Sequence, residues 1–150
     1  MTLRFIPLAQ LFVASGLMIA IDALIPAGNI AGSWMLPLSI TLALTGATLV
    51  AVGGKEFIKF NTTVNPINPE NTTSLVTSGI YRISRNPMYL GFALVLAGLG
   101  AFLGNLSSLF VIAMFIWYIT KYQIIPEENV LENKFGEGFR EYKTKVRRWI

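Results

Sequence analysis

The sequence contains neither cysteine nor histidine, and it carries few charged residues. Without cysteine it can form no disulfide bond, no thiolate zinc site and no thiol nucleophile. Without histidine it lacks the usual general base near neutral pH, and we expect no metal site. Charged residues make up 13% of the chain, against roughly 25% in soluble domains. This deficit, with 53% hydrophobic residues, predicts a membrane protein.

Four apolar segments stand out, and we expect each of them to be helical. They are residues 5–26, 33–54, 88–103 and 107–125. About 20 apolar residues cross a bilayer core of about 30 Å, so the first two are long enough and the third is short. Gly104 and Asn105 leave only a tight turn before the fourth segment. The predicted fold is an all-α integral membrane bundle of about four transmembrane helices, forming one domain over 1–150, with the last two segments as a hairpin.

The twelve basic residues all fall on one side of these segments. They lie before the first, between the second and third, and at or after the end of the fourth, whereas the linkers 27–32 and 104–106 have none. Basic loops face the cytoplasm. We therefore expect both termini, the loop 55–87 and the tail 126–150 to be cytoplasmic. The net charge of +4 is read as a topology signal, and we predict no nucleic-acid partner.

The first segment raises two questions of its own. Its apolar run is longer than that of a signal peptide, so we expect a retained helix. Asp22 near its end is either a functional acid within a span or, as we favour, a hydrated residue near the outer membrane interface.

The tail shows a helical pattern beyond the fourth segment. Pro126 followed by Glu127 and Glu128 predicts a helix start. Two glycines interrupt this helix, and a second helical piece is expected over 139–146. An apolar stripe recurs at helical spacing, formed by Leu131, Phe135, Phe139, Tyr142 and Val146. It suits an amphipathic helix on the membrane surface or a lid packed on the loop, and both interpretations stay open.

Glu127 and Glu128 directly follow the fourth segment. A helical hairpin brings the end of that segment beside the start of the third, where Arg82 and Arg85 lie. The two acids therefore pair with an arginine, the interpretation that composition favours, or bind the hydroxyl or amino groups of a ligand.

Two stretches resemble a known family. LVTSGIYRISRNPMYLG at 75–91 and EENVLENKFGEGFREYKTKV at 127–146 are similar to the isoprenylcysteine carboxyl methyltransferases and the wider phospholipid methyltransferase group. The likeness covers about residues 62–148, and several fixed spacings agree together. It implies methyl transfer from S-adenosylmethionine to a hydrophobic acceptor that enters from the lipid bilayer.

The resemblance also assigns residues. Those implied at the cofactor are Thr73, Ser74, Leu75, Val76, Tyr81, Asn86, Pro87, Met88, Tyr89 and Glu127. The candidate catalytic residues are Arg85, Asn86, Tyr89, Glu127 and Glu128. Amides at a helix start suit a carboxylate, and tyrosine rings suit an adenine or a sulfonium cation. On this interpretation the loop and the C-terminal helix form the cofactor site.

Two positions depart from the family pattern. Asn86 stands where histidine is frequent, and Gln123 stands where the carboxyl methyltransferases have an arginine thought to face the acceptor. Gln123 is therefore a candidate substrate residue only. The acceptor stays open among a carboxylate such as that of isoprenylcysteine, a small lipid, a thiol and a phospholipid amine. A carboxylate needs no base, whereas an amine or thiol must lose a proton to Glu127, Glu128 or a tyrosine.

Two other functions compete with methyl transfer. Membrane sterol reductases have a related Arg-His-Pro-x-Tyr motif and bind NADPH, although they are usually longer. A non-enzymatic protein that binds lipid head groups would use the basic residues of 143–148.

Overall fold

A computed structural model describes residues 7–25, 32–60 and 72–150. Every element of regular secondary structure in these ranges is a helix, which confirms the all-α prediction. In chain order they are α1 (Pro7–Leu24), α2 (Met35–Lys59), a 3-10 helix (Gly79–Arg82), α3 (Pro87–Leu103), α4 (Ser107–Ile119), a π-helical turn (Thr120–Ile124), α5 (Ile125–Phe135) and α6 (Glu137–Lys145). Most of the linker 27–32 and the first part of the loop, at 61–71, lie outside the described residues.

Three helices are long and apolar enough to cross a membrane, judged by length and composition. They are α1, α2 and the continuous helix Ser107–Phe135. The apolar part of the last one ends at Ile125, and the polar α5 continues beyond it. α3 is apolar but only 17 residues long. Large apolar side chains cover the outer surface, among them Phe12, Leu44 and Phe110 at 67%, 64% and 69% exposure. A surface this apolar requires lipid around it, so the chain is a membrane protein.

Glycines bring α2 and α3 together in antiparallel contact. A Cβ atom on Gly91 would lie 2.6 Å from the carbonyl oxygen of Gly46, and one on Gly46 would lie 2.5 Å from that of Gly91. Further along, a Cβ atom on Gly98 would lie 2.9 Å from the carbonyl oxygen of Ser39. Only glycine leaves room for two backbones at this distance, and such contacts replace the hydrophobic effect that is absent between helices in lipid.

A tight turn joins α3 to α4, as the sequence predicted. Gly104 ends α3 with a φ of 68°, in the left-handed region that glycine adopts without strain. The buried side chain of Asn105 accepts a 3.0 Å hydrogen bond from the N–H of Ser107 and donates a 3.1 Å bond to Asp22 Oδ1. Asp22 therefore ties α1 to this turn, a structural role that neither interpretation of the sequence included.

The predicted helix start at Pro126 is not a break in the chain. α4 continues through the π turn into α5, with the N–H of Ile125 donating to the carbonyl of Thr120 five residues earlier. A proline inside a helix lacks one donor and crowds the carbonyl four residues before it. The wider turn just ahead of Pro126 relieves that crowding, so the helix continues. The turn also directs Gln123 inward, where it is 1% exposed.

Candidate functional site

The end of α2 holds the returning loop. α2 extends to Lys59, five residues beyond the predicted segment, because its last turns pack against the loop. Ser78 Oγ donates a 2.7 Å hydrogen bond to Glu56 Oε2, and the rings of Phe57 and Tyr81 meet edge to face at 5.4 Å. Gly79 has a φ of 57°, and a Cβ atom there would lie 2.7 Å from the carboxyl carbon of Glu56. The loop is thus fixed before it reaches α3.

The C-terminal helices form a lid on this loop. Phe139, Tyr142 and Val146 are buried in one apolar cluster, against which Leu75 of the loop packs. The other two residues of the predicted stripe, Leu131 and Phe135, complete it. The structure therefore favours the lid over a helix that lies free on the membrane surface.

Two buried tyrosines join the lid to the loop. Tyr142 Oη donates a 2.6 Å hydrogen bond to the carbonyl oxygen of Tyr81. Burial raises the pKa of both phenols far above the ordinary value of 10, and the neighbouring Tyr142, Glu127 and Glu56 raise that of Tyr81 further. Both side chains stay protonated near neutral pH, so neither can serve as a general base.

The first turn of α3 meets the start of α5 at a polar cluster. Tyr89 Oη donates a 2.8 Å hydrogen bond to Glu127 Oε1, and Gln123 Nε2 donates to the same oxygen. Three residues that the sequence predicted for the site are thus brought together. The inward turn at Gln123 is what places its amide beside a carboxylate one helical turn later.

The second acid, Glu128, lies in a buried ion pair. Arg85 Nη2 is 2.8 Å from Glu128 Oε1, and the two side chains are 9% and 8% exposed. Arg148 Nη2 is 2.7 Å from Glu128 Oε2. Burial by itself raises the pKa of Glu128, but the hydrogen bonds and charges of Arg148 and Arg85 outweigh it and leave that pKa below its ordinary value. Composition favoured an ion pair of the acids with Arg82 or Arg85; for Glu128 the partner is Arg85, whereas Arg82 is exposed.

Asn86 is the residue before α3, and its side chain points toward the end of the chain. Asn86 Nδ2 donates a 3.0 Å hydrogen bond to the carbonyl oxygen of Arg148, and its backbone N–H donates a 3.1 Å bond to Ser84 Oγ. Pro87 begins α3 and is buried. The next N–H groups of a helix have no acceptor within it, so the first turn of α3 can bind an anionic group.

The remaining predicted cofactor residues lie nearby on different surfaces. Thr73 is exposed, Ser74 is half-buried and Val76 is buried along the extended chain before the 3-10 helix. Met88 packs against α2, where a Cβ atom on Gly53 would lie 2.8 Å from its Cγ.

Sequence reasoning missed two residues of this region, Glu56 and Arg148. Glu56 falls in the predicted loop 55–87, whereas the structure places it in α2. The sequence distinguishes Arg148 only by its basic charge, which it shares with the rest of the tail.

The side chains at this site are carboxylate, carboxamide, guanidinium and phenol groups. Among the described residues, no group of three or more His, Cys, Asp and Glu could hold a metal ion. Such groups can bind the hydroxyls and amino group of a polar ligand and accommodate a cation beside aromatic rings.

Comparison with known proteins assigns the chain to a family. The family model described as phospholipid methyltransferase matches residues 34–138. An uncharacterized protein of Haemophilus influenzae is 44% identical over 63 residues, which are 42% of this chain and 100% of that protein. No solved structure matches the chain significantly.

Several eukaryotic relatives carry the name protein-S-isoprenylcysteine O-methyltransferase. That of Schizosaccharomyces pombe is 36% identical over 72 residues, which are 48% of this chain and 30% of the relative. Form B of Arabidopsis thaliana is 30% identical over 117 residues, which are 75% of this chain and 57% of the relative. The matches thus span only part of each relative. Because the family model covers more than half of the sequence, the chain belongs to the phospholipid methyltransferase family.

Proposed function

We propose that this chain transfers a methyl group from S-adenosylmethionine to a lipid-borne or small hydrophobic acceptor at the cytoplasmic face of the membrane. Family membership supports methyl transfer over the reductase and the head-group-binding alternatives. The observation that carries the proposal is the convergence of Tyr89 and Gln123 on Glu127, at the end of the bundle where the loop and the lid meet.

The residues present fit this methyl donor, which supplies a methyl group on a sulfonium cation. Glu127 can accept hydrogen bonds from hydroxyl or amino groups. The first turn of α3 suits a carboxylate. The faces of Tyr81 and Tyr89 suit an adenine ring or the cation. Such a site lowers the barrier chiefly by positioning the two reactants and excluding water.

The two acids have different partners. Glu128 is held by two arginines and its pKa is lowered, so it is a poor base. Glu127 accepts hydrogen bonds from Tyr89 and Gln123. If the acceptor is an amine or a thiol, we assign its proton to Glu127, because Glu128 is held by its two arginines. A carboxylate acceptor would need no base.

The position of Gln123 bears on the acceptor. The carboxyl methyltransferases have an arginine at this place, whereas here a neutral amide donates to Glu127. We therefore propose that the methyl acceptor need not be an anion. Isoprenylcysteine is one candidate acceptor among several.

We further propose that both termini and the site face the cytoplasm, with α1 to α4 as four spans. The charge asymmetry of the sequence supports this topology. The absence of cysteine allows a clean test, in which Gly138→Cys and Leu106→Cys mark the tail and the α3–α4 turn. A membrane-impermeant maleimide should label the first only in inverted vesicles and the second only in right-side-out vesicles. Labelling of both from the same side would overturn the four-span topology.

The function is tested by ligand titration of the purified protein in detergent. We expect S-adenosylmethionine to bind saturably. Glu127→Gln should weaken that binding, because the negative charge is lost and one of the two acceptor oxygens becomes a donor. Glu137→Gln is the matched control, since that carboxylate is 85% exposed on α6. NADPH serves as the competing ligand, and its binding in place of S-adenosylmethionine would favour a reductase. No binding of either by the folded protein would contradict both enzymatic functions.

A further inference from the structure

We propose that Arg148 is a positioning residue of the methyl-donor site. Its side chain pairs with Glu128, and this pair holds residues 146–150, the strap, in place. The backbone of the strap in turn orients the side chain of Asn86. The inference rests on the proposed function and assigns a role to Arg148, which lies outside both motifs of the sequence.

The strap lies along the segment that leads into α3. The backbone N–H of Arg85 donates a 3.0 Å hydrogen bond to the carbonyl of Arg147, and Arg85 Nη1 donates a 2.6 Å bond to that of Val146. The carbonyl of Arg148 accepts from Asn86 Nδ2 at 3.0 Å and from Ser84 Oγ at 3.4 Å. The side-chain amide of Asn86 is thus oriented by a main-chain atom of the strap.

Two contacts fix the strap where it makes these bonds. The guanidinium of Arg148 holds Glu128 with two bonds, Nε to Oε1 at 3.2 Å and Nη2 to Oε2 at 2.7 Å. A planar two-pronged pair restricts direction as well as distance, which a lysine cannot do. Next along the chain, Trp149 packs against the apolar core of the bundle.

The ion pair and the candidate donor site share the same two segments. Glu128 follows Glu127 on α5, and Arg85 precedes Asn86 before α3. One connection between these segments is the bond from Tyr89 to Glu127, and another is the ion pair of Arg85 with Glu128. Arg148 joins the strap to the same carboxylate. Loss of the Arg148 side chain would remove this ion pair of the strap and loosen the carbonyl that orients the amide of Asn86, while the bond from Tyr89 to Glu127 would remain.

This geometry predicts an effect on donor binding in preference to the chemical step. Arg148→Ala should raise the Kd and KM for S-adenosylmethionine about tenfold and leave kcat within about twofold. Arg148→Lys keeps the positive charge but cannot form the two parallel hydrogen bonds to Glu128. Its affinity should therefore lie between those of Arg148→Ala and the wild type. Lys145→Ala is the control, because that exposed residue pairs with Glu141 and lies outside the strap.

A readout independent of activity is hydrogen exchange of the ligand-free protein. Arg148→Ala should speed exchange of the Arg85 amide, whose acceptor lies in the strap, while amides in the middle of α3 stay protected. In an Asn86→Ala background, Arg148→Ala should weaken donor binding little further, because both changes act on one path. If Arg148→Ala does not fold, Arg148→Lys carries the same measurements.

The outcomes separate this inference from the function on which it rests. Failure of the wild-type protein to bind S-adenosylmethionine overturns both. Wild-type binding with an unchanged Kd in Arg148→Ala overturns only the positioning role. Effects of Arg148→Ala and Asn86→Ala that simply add, or equal losses in kcat and kcat/KM, would also overturn it.

Discussion

The hydroxyl of Tyr142 donates a 2.6 Å hydrogen bond to the main-chain carbonyl of Tyr81, and both residues are buried. This bond joins the lid to the loop at one point, between residues 61 positions apart in sequence. It is supported on either side by the apolar cluster around Phe139 and by the contact of Tyr81 with Phe57. The lid and the part of the loop at 75–82 therefore pack as one structural unit.

Tyr142→Phe should destabilise the protein by roughly 1–3 kcal/mol, because a buried carbonyl loses its donor while the ring is kept. Thermal unfolding in detergent measures this as a lower midpoint. Tyr118→Phe is the control, since Tyr118 contacts Tyr122 through its ring, which the substitution keeps. Equal midpoints for the two variants would contradict a structural role for the bond.

Gly91→Ala should separate α2 from α3. The added Cβ atom would lie 2.6 Å from a backbone carbonyl that cannot move aside easily, and overpacking of this kind costs roughly 1–3 kcal/mol. The thermal midpoint should fall accordingly. Gly54→Ala on the same helix pair meets no atom within 4 Å and should leave the midpoint unchanged. A loss in both variants would point to glycine flexibility instead of close packing.

The stability of the ion pair should depend on pH through Glu128. Its pKa in the folded protein lies below the ordinary value of 4.5. A group of this kind stabilises the fold at pH values above its unfolded pKa, and this contribution is lost as the pH falls through the folded pKa. The thermal midpoint of the wild type should therefore drop as the pH is lowered below about 4.5.

Glu128→Gln tests the source of that dependence. The variant should be less stable than wild type at neutral pH, because Arg85 and Arg148 lose their partner, and its midpoint should fall less in acid. Glu141→Gln is the comparison, since its carboxylate pairs with Lys145 on an exposed surface. A Glu128→Gln profile parallel to wild type would assign the acid sensitivity to other carboxylates.

Tyr89→Phe should weaken binding of S-adenosylmethionine by about tenfold, or about 1.4 kcal/mol. The change removes a hydrogen bond that orients Glu127 and keeps the ring. Isothermal titration in detergent measures the Kd. Tyr122→Phe is the matched control on the exposed side of the π turn. Unchanged affinity in Tyr89→Phe would contradict a role for the Tyr89–Glu127 pair in binding S-adenosylmethionine.

Much of the fold follows from local sequence. Apolar runs predict the four membrane segments, because backbone groups in lipid must be satisfied within a helix. The tight turn at Gly104 and the apolar stripe around Phe139 likewise follow from residue type and spacing. The predicted helix boundaries differ from the structure at the end of α2 and near Pro126. Packing of the loop extends α2 to Lys59, and a π turn lets α4 continue into α5.

Most of the candidate site could be named from its motifs, but its pairings could not. Glu127 and Glu128 are identical neighbours in sequence, and side chains one residue apart on a helix point about 100° away from each other. Which of them meets Tyr89 and which meets Arg85 depends on how α3 and α5 are rotated against each other. The structure alone decides this, as it decides that Arg148 completes the ion pair.

Local sequence is sufficient to indicate a helical membrane protein with a polar motif at the start of one apolar helix and two acids at the end of the next. Its residue types and spacings are enough for these features, because they reflect periodicity and transfer into lipid. The partners, in contrast, are visible only in the folded chain: Gly46 with Gly91, Tyr142 with Tyr81, and Arg148 with Glu128. These contacts join residues far apart in the chain, and their formation depends on helix packing that no local pattern specifies.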